Sequence, residues 1–117
     1  MNNMNLGKSY TALNVTDIKK SFDFYSLLGY QVVENGGSLT EKWLILQNGS
    51  SKIGLYEGMI KENTTTYHSE NVRAIYQKLR ESKAEIVASS KNIGDDGPCY
   101  FMTKDPDGNR LLFDQID

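Results

Sequence analysis

The fold is decided by the stretch Tyr100-Phe101-Met102-Thr103-Lys104-Asp105-Pro106-Asp107-Gly108-Asn109-Arg110-Leu111-Leu112-Phe113. Two largely apolar runs flank a Pro-Asp-Gly sequence. Proline presets φ at the first turn position, and Gly108 can adopt the positive φ that closes a hairpin. The stretch therefore predicts two antiparallel strands, Pro98 to Lys104 and Arg110 to Gln115, joined by a turn that serves as scaffolding.

The acidic residues of this turn do not predict a calcium loop. The glycine follows too soon after Asp105, and the position that would need a bidentate Glu is Ile116. Any chemistry is therefore expected on the strand faces beside the turn.

Upstream of this hairpin, the first half of the chain predicts one helix among four strands. Asp17 is a candidate N-cap, and Gly29 a candidate stop. The apolar stripe of the helix is Ile18, Phe22, Tyr25 and Leu28. Strands are predicted at Lys8 to Val15, Tyr30 to Glu34, Lys42 to Gln47 and Lys52 to Glu57, with a loop at 35–38.

The second half repeats this order of elements. A strand from Asn63 to His68 precedes a helix capped by Ser69 or Asn71, and Glu85 to Ala88 is the next strand. The apolar stripe of this helix is Val72, Ile75, Tyr76 and Leu79. A loop at 89–97 leads to the final hairpin.

The two halves of the sequence can be aligned with each other. Asp17 and Asn71 are 54 positions apart (71 − 17 = 54), and the same offset pairs Ile18 with Val72, Phe22 with Tyr76 and Tyr25 with Leu79. The last strands align at an offset of 58, which pairs Ile53 with Leu111 (111 − 53 = 58). The repeat predicts an α+β fold of two βαβββ modules in a single domain, 1–117, with module 1 at about 8–58 and module 2 at about 63–116.

Composition is that of an ordinary globular domain: 117 residues, 38% hydrophobic and 24% charged, with a net charge of −2. This charge gives no electrostatic footprint for nucleic acid. The one cysteine, Cys99, is expected to be a small buried side chain. Residues 1–8 lack the apolar core of a signal peptide and no apolar run reaches membrane-spanning length, so the expected location is the cytoplasm, with no membrane partner.

Three segments resemble the vicinal oxygen chelate superfamily of glyoxalase I, fosfomycin and bleomycin resistance proteins and extradiol dioxygenases. They are Leu13-Asn14-Val15-Thr16-Asp17-Ile18-Lys19-Lys20-Ser21-Phe22-Asp23-Phe24-Tyr25, Leu28-Gly29-Tyr30 and Asp105-Pro106-Asp107-Gly108-Asn109. The resemblance covers nearly the whole chain. It implies paired modules whose curled mixed sheet encloses a cleft, often with a divalent metal held by His, Gln or Glu.

The resemblance also implies four metal-ligand positions, and here they hold Tyr10, Gly54, Thr64 and Leu112. Glycine and leucine side chains offer no donor atom, and neutral Thr and Tyr are weak ligands. The expectation is therefore a protein with no metal and no cofactor. A shift of the alignment would instead bring His68 and Asp114 together, which are too few donors for a closed site.

Strand alternation predicts which side chains face this cleft. Tyr10, Ala12 and Asn14 should lie opposite Thr11, Leu13 and Val15, which should pack on the helix. Gly54 and Thr66 are also expected to face inward, and Trp43 would join them if the register of its strand allowed. The predicted ligand-binding residues are Tyr10, Ala12, Tyr56, Thr64, His68, Arg110, Leu112 and Asp114.

Three functions stay open at the level of sequence. The leading hypothesis is a metal-free protein that sequesters or senses a small, partly apolar molecule. The second is a glyoxalase-like lyase or isomerase, or a dioxygenase-related enzyme, with a displaced metal site or with His68, Tyr10 or Glu41 as acid–base groups. The third is an accessory module that binds a protein through an exposed apolar patch. The resemblance also implies a homodimer.

Overall fold

The computed structural model describes residues 5–115, so the predicted end of module 2 at 116 lies outside the described part of the chain. Its elements follow the predicted order, strand, helix and three strands, twice. They are β1 (Lys8–Val15), α1 (Ile18–Leu27), β2 (Gln31–Ser38), β3 (Trp43–Asn48), β4 (Ser51–Glu57), β5 (Thr64–His68), α2 (Val72–Glu81), β6 (Ile86–Ser89), β7 (Cys99–Lys104) and β8 (Arg110–Gln115). The predicted α+β fold class is confirmed.

The chain forms two compact units. The first unit is Tyr10–Asn63, and the second comprises residues 64–115 together with 5–9. In the first unit the strand order is β2-β3-β4-β1, with β1 parallel to β4 and the other pairs antiparallel. The second unit has the matching order β6-β7-β8-β5, with β5 parallel to β8.

The internal repeat extends to the register of the strands. In the first unit Thr11 is paired with Ile53, and in the second Thr65 is paired with Leu111. These are the partners that offsets of 54 and 58 predict. The same offsets relate the pair formed by Ala12 and Gly54 to the pair formed by Thr66 and Leu112.

Both helices begin at the predicted caps. The side chain of Asp17 accepts a hydrogen bond from the Lys20 backbone N–H, and that of Asn71 accepts one from the Ala74 N–H. Ser69, the alternative cap, instead donates its hydroxyl to the carbonyl of Leu6. These side-chain acceptors satisfy amide groups that a helix leaves without an internal partner.

A second acceptor reaches each helix from the end of the last strand of its own unit. Glu57 Oε1 accepts a hydrogen bond from Ile18 N–H at 2.9 Å, and Gln115 Oε1 accepts one from Val72 N–H at 2.9 Å. Positions 57 and 115 correspond at the 58-residue offset. The duplication therefore includes the way in which each helix is anchored to its sheet.

Each helix packs on one face of its sheet. In the first unit Ile18, Leu44, Leu46 and Leu55 form the buried cluster. In the second unit the buried cluster is Val72, Ile75, Cys99, Phe101 and Phe113. Cys99 is thus a core residue, as predicted.

The predicted stripe of α1 is right except at its end. Ile18 is buried, and Phe22 and Tyr25 pack against its cluster, but Leu28 is 57% exposed. Leu28 is the C-cap residue and follows the last helical residue, Leu27, so helical spacing no longer determines its direction.

The predicted loop at 35–38 is wrong, because β2 continues through it. Val32 is paired with Leu46 and Gly37 with Leu44, so five steps along β2 cover two steps along β3. A β-bulge takes up the extra residues. A cluster of Asn and Gly is compatible with a bulge as well as with a loop, and local composition does not distinguish them. Among the described residues, no helix is long and apolar enough to span a membrane.

The carboxylate of Asp105 holds the turn of the C-terminal hairpin together. Its Oδ1 accepts hydrogen bonds at 2.9 Å from the backbone N–H groups of Asp107 and Asn109, and its Oδ2 accepts one at 2.9 Å from the Asn109 side chain. Gly108 closes the turn with φ at 88°, as predicted. The hydrogen bond from the Asn109 side chain, followed by those from the backbone, lowers the pKa of Asp105 below its ordinary value of 3.8.

We expect Asp105→Asn to lower thermal stability at neutral pH and to have little effect in acid. Because the folded-state pKa is depressed, the ionised carboxylate stabilises the fold above the unfolded-state pKa. This contribution disappears as the pH falls through the folded-state value. Circular dichroism melting curves of the wild type and variant should therefore converge below pH 3.8. A gap in Tm that is independent of pH would contradict this interpretation.

Candidate functional site

The candidate site residues lie on the face of each sheet that points away from the helix. Leu13 and Val15 pack against the α1 cluster, which places Tyr10, Ala12 and Asn14 on the opposite face by strand alternation. The alternation was predicted correctly, although Thr11 on the helix side is exposed rather than packed. We call the two opposite faces the helix-distal faces.

On the helix-distal face of the first unit, two tyrosine rings cover Gly54. An ideal Cβ on Gly54 would lie 2.7 Å from Cε2 of Tyr56, 3.1 Å from Cε2 of Tyr10 and 3.2 Å from Cδ1 of Ile45. The hydroxyl oxygens of the two tyrosines are 3.3 Å apart, within hydrogen-bonding distance. The space into which a side chain at position 54 would project is therefore filled by aromatic rings.

The rest of this face is also mainly apolar. Trp43 is paired with Tyr56, and Ile45 with Gly54, so the register places both beside the tyrosines. Leu44 and Leu46 on the same strand belong to the α1 core, which confirms that Trp43 faces the other way. The ammonium of Lys52 lies 5.7 Å from the centre of the Tyr10 ring, a cation–π distance.

On the helix-distal face of the second unit, the side chains form three cross-strand rows of different chemistry. A basic row contains Thr64, Arg110 and Lys104, and an apolar row contains Thr66, Leu112 and Met102. The third row contains His68, Asp114 and Tyr100. The Arg110 guanidinium reaches the Met102 sulfur at 3.4 Å and so leans towards the apolar row.

The third row brings together the histidine and carboxylate that the sequence suggested as a pair. His68 Nδ1 lies 3.7 Å from Asp114 Oδ2, within ion-pair distance but beyond a direct hydrogen bond. Both side chains are partly exposed, at 29% for His68 and 40% for Asp114. Glu41, another suggested acid–base group, accepts a hydrogen bond from the Ser38 hydroxyl in its own turn.

The four positions at which the resemblance implies metal ligands do not suit a divalent ion. Gly54 has no donor, its side-chain space is occupied by rings, and Leu112 lies between Thr66 and Met102. The cationic Arg110 adjoins this row and would repel a metal ion. Within the described range 5–115, no group of three or more His, Cys, Asp or Glu side chains is arranged to hold a metal.

A family model decides the relationship of this chain to known proteins. The model of the Glyoxalase/Bleomycin resistance protein/Dioxygenase superfamily matches residues 8–113. The chain belongs to this superfamily. No curated protein matches its sequence.

Solved structures share the superfamily fold at low sequence identity. A superfamily member from Vibrio splendidus 12B01 is 20% identical, with a TM-score of 0.70 over 92% of this chain and 97% of that one. An NAD-dependent benzaldehyde dehydrogenase from Legionella pneumophila is 19% identical, with a TM-score of 0.73 over 94% and 100%. The methylmalonyl-CoA epimerase of Mycobacterium tuberculosis is 13% identical, with a TM-score of 0.71 over 100% and 93%. At these identities the likeness shows the fold alone.

Sequence reasoning did not include several residues of the helix-distal faces. Ile45 lies on β3, whose register the sequence left open, and Met102 and Lys104 lie on β7, for which no facing was predicted. Lys52 shares the parity of Gly54 and Tyr56 on β4 and could have been included. The internal repeat does not supply that register. Ile45 and Met102 pair with the corresponding residues Gly54 and Leu112, but they are 57 positions apart (102 − 45 = 57), which is neither of the two offsets.

Proposed function

We propose that this protein is a metal-free binding protein that sequesters or senses a small, partly apolar molecule through the helix-distal face of its first unit. The observation that carries the proposal is the packing of Tyr10 and Tyr56 over Gly54, where the superfamily resemblance implies a metal ligand. Rings and methyl groups, rather than donors to a cation, make up this part of the face. Such surfaces with a few polar groups are typical of sites for small organic molecules.

The chemistry of the face favours a flat ligand. Trp43, Tyr10 and Tyr56 offer ring faces or edges on which such a ligand can stack. The tyrosine hydroxyls and the Lys52 ammonium are polar groups that could orient a ligand. Superfamily membership is compatible with both enzymes and binding proteins, so the site itself has to be tested.

The acid–base alternative has weaker support. It would use His68 and Asp114 on the second unit, whose Nδ1 and Oδ2 atoms are 3.7 Å apart. At this separation Asp114 orients the imidazole less firmly than a carboxylate does in a catalytic pair, where the two groups form a direct hydrogen bond. The accessory-module hypothesis and the homodimer stay predictions.

The proposed function predicts that Trp43 fluorescence responds to a planar apolar ligand. Trp43 is the only tryptophan in the chain, so its emission reports on this face. We expect naphthalene-2-carboxamide, a neutral two-ring probe, to change the emission saturably. Tyr10→Ala should weaken binding by about tenfold, because it removes one ring of the platform.

Tyr30→Phe is the matched control, because Tyr30 packs on the helix side of the same unit. It should leave the affinity for the probe unchanged. Elemental analysis of protein purified from metal-supplemented medium tests the other half of the proposal. One bound Zn, Ni, Mn or Fe ion per chain would refute a metal-free function, and equal affinities for wild type and Tyr10→Ala would refute the ring platform.

A further inference from the structure

A second candidate site lies in the first unit between α1 and the end of β1. It is a pocket of about 370 Å³. Its walls are formed by Leu13, Asn14, Val15, Lys20, Ser21, Phe24, Tyr25 and Asn63. Leu13 and Val15 pack on the helix side of the sheet, and the rings of Tyr10, Trp43 and Tyr56 on the helix-distal face do not line the pocket.

The internal repeat explains why the first unit has this space. Ser21 corresponds to Ile75 at the 54-residue offset (75 − 21 = 54), and Ile75 is a core side chain that is 3% exposed. A small polar residue in α1 thus stands where the sister helix inserts a large apolar one. Ser21 belongs to the run that carries the superfamily resemblance, whereas α2 forms the same element with isoleucine.

In the second unit, a residue from outside the repeat also packs against the core. Leu6 packs against the cluster that contains Ile75, and its carbonyl accepts the hydroxyl of Ser69. Ser69 corresponds to Val15 (69 − 15 = 54), which lines the pocket of the first unit. The second unit thus has an additional apolar residue beside Ser69, whereas the first unit has a pocket beside the corresponding Val15.

The wall formed by α1 is apolar where the sister helix is polar. Phe24 is 58% exposed, and its ring meets the edge of Tyr25 at 5.2 Å between centroids. At the corresponding position α2 has Lys78 (78 − 24 = 54), a residue suited to solvent. An exposed phenylalanine beside an open pocket offers a surface for a second ring or an alkyl group.

The rim of the pocket carries a positively charged side chain. Lys20 is the charged residue among those that line it, and its counterpart in α2 is the uncharged Ala74. The neighbouring Lys19 is instead engaged by Asp23 at 2.7 Å. Asn63 Oδ1 accepts the Asn14 backbone N–H at 2.9 Å, so the Nδ2 group is the donor that this amide can offer.

We propose that this pocket binds a small amphiphilic carboxylate, with an aromatic or branched alkyl body against Phe24 and Val15 and the carboxylate at Lys20. The apolar body takes the place that Ile75 fills in the second unit. The carboxylate forms a charge-assisted hydrogen bond with Lys20. This site is independent of the proposed function on the helix-distal face.

The test uses the full chain and 3-phenylpropionate as the probe, with 3-phenylpropionamide as its neutral analogue. In ¹H–¹⁵N spectra, the acid should shift the amide signals of Val15, Ser21 and Phe24 saturably. Ser21→Ile, which installs the residue of the sister helix, should weaken binding at least about tenfold, because it fills the pocket. Lys20→Ala should weaken binding of the acid by about threefold, the effect of an exposed ion pair, and leave the neutral analogue unaffected.

Leu27→Ala is the control on the same helix, because Leu27 is 85% exposed and does not line the pocket. It should bind the probe as the wild type does, and so should Tyr10→Ala. The proposal is overturned if the probe produces no saturable shift at the pocket, or if Ser21→Ile binds it normally. It is also overturned if the same signals shift with protein concentration alone, since a second copy of the chain then covers the pocket. If Ser21→Ile does not fold, the comparison of acid and neutral analogue on Lys20→Ala decides.

Discussion

Replacing Gly7 by alanine is expected to destabilise the fold by about 3 kcal/mol or more, a large part of the stability of a small domain. Gly7 has φ at 78°, which alanine adopts only with strain. A Cβ at this position would also collide with the backbone carbonyl oxygen of His68 and lie 3.3 Å from Cα of Ser69. Backbone atoms cannot rotate away as a flexible side chain can, so the segment around residue 7 would have to leave the end of β5.

Gly58→Ala is the matched control for this substitution. Gly58 has a similar φ of 72°, but a Cβ there would meet no atom within 4 Å. Its cost should therefore be the conformational strain alone, about 1 kcal/mol. Urea unfolding of both variants separates the two effects, because the midpoint should fall much further for Gly7→Ala. Similar losses for the two variants would show that the contact with His68 does not matter.

Phe101→Ala is expected to cost about 3–5 kcal/mol, the range for a buried aromatic residue. Phe101 is 0% exposed in the centre of the second unit. Its ring stacks on Phe113 at 5.0 Å and meets the edge of Tyr76 at 5.2 Å. The truncation would remove both contacts and leave a cavity between α2 and the sheet. Thermal unfolding should therefore begin at a much lower temperature than in the wild type.

Tyr100→Ala, one residue earlier on the same strand, is the control. Tyr100 is 43% exposed and lies on the helix-distal face, so its truncation should cost less than about 1 kcal/mol. A loss as large as that of Phe101→Ala would mean that strand β7 is stabilised by its propensity rather than by packing. The near-UV circular dichroism of the folded variants would show whether the core ring cluster is kept.

The repeat made most of the fold predictable from sequence. Two offsets, 54 and 58, placed both helices and both parallel strand pairs, because duplicated modules retain their register even when their side chains diverge. Alternation then assigned Tyr10 and Leu13 to opposite faces, since the period of a strand is two. These patterns can be found within single segments of the sequence. They are retained in both modules because each module has to bury one face of its sheet.

Other features depended on contacts that no local pattern contains. The bulge in β2 is set by its pairing with β3, and the register of Trp43 followed only from the pairing of β3 with β4. The rings of Tyr10 and Tyr56 occupy the space above Gly54 because this residue has no side chain. The sequence shows the glycine but not which side chains fill the space above it. The pocket at Ser21 could have been found, because the offset aligns serine with a core isoleucine.

Glu57 and Gln115, the side chains that accept hydrogen bonds from the first residues of α1 and α2, should respond differently to low pH. Glu57 carries a charge, and the hydrogen bond from Ile18 together with Lys42 lowers its pKa, whereas Gln115 does not titrate. Protonation of Glu57 therefore weakens the hydrogen bond that joins the end of β4 to the start of α1. The corresponding bond between β8 and α2 is unaffected. As the pH falls, the start of α1 should therefore open before the start of α2, although the two units share one architecture. Amide exchange at Ile18 should accelerate before that at Val72.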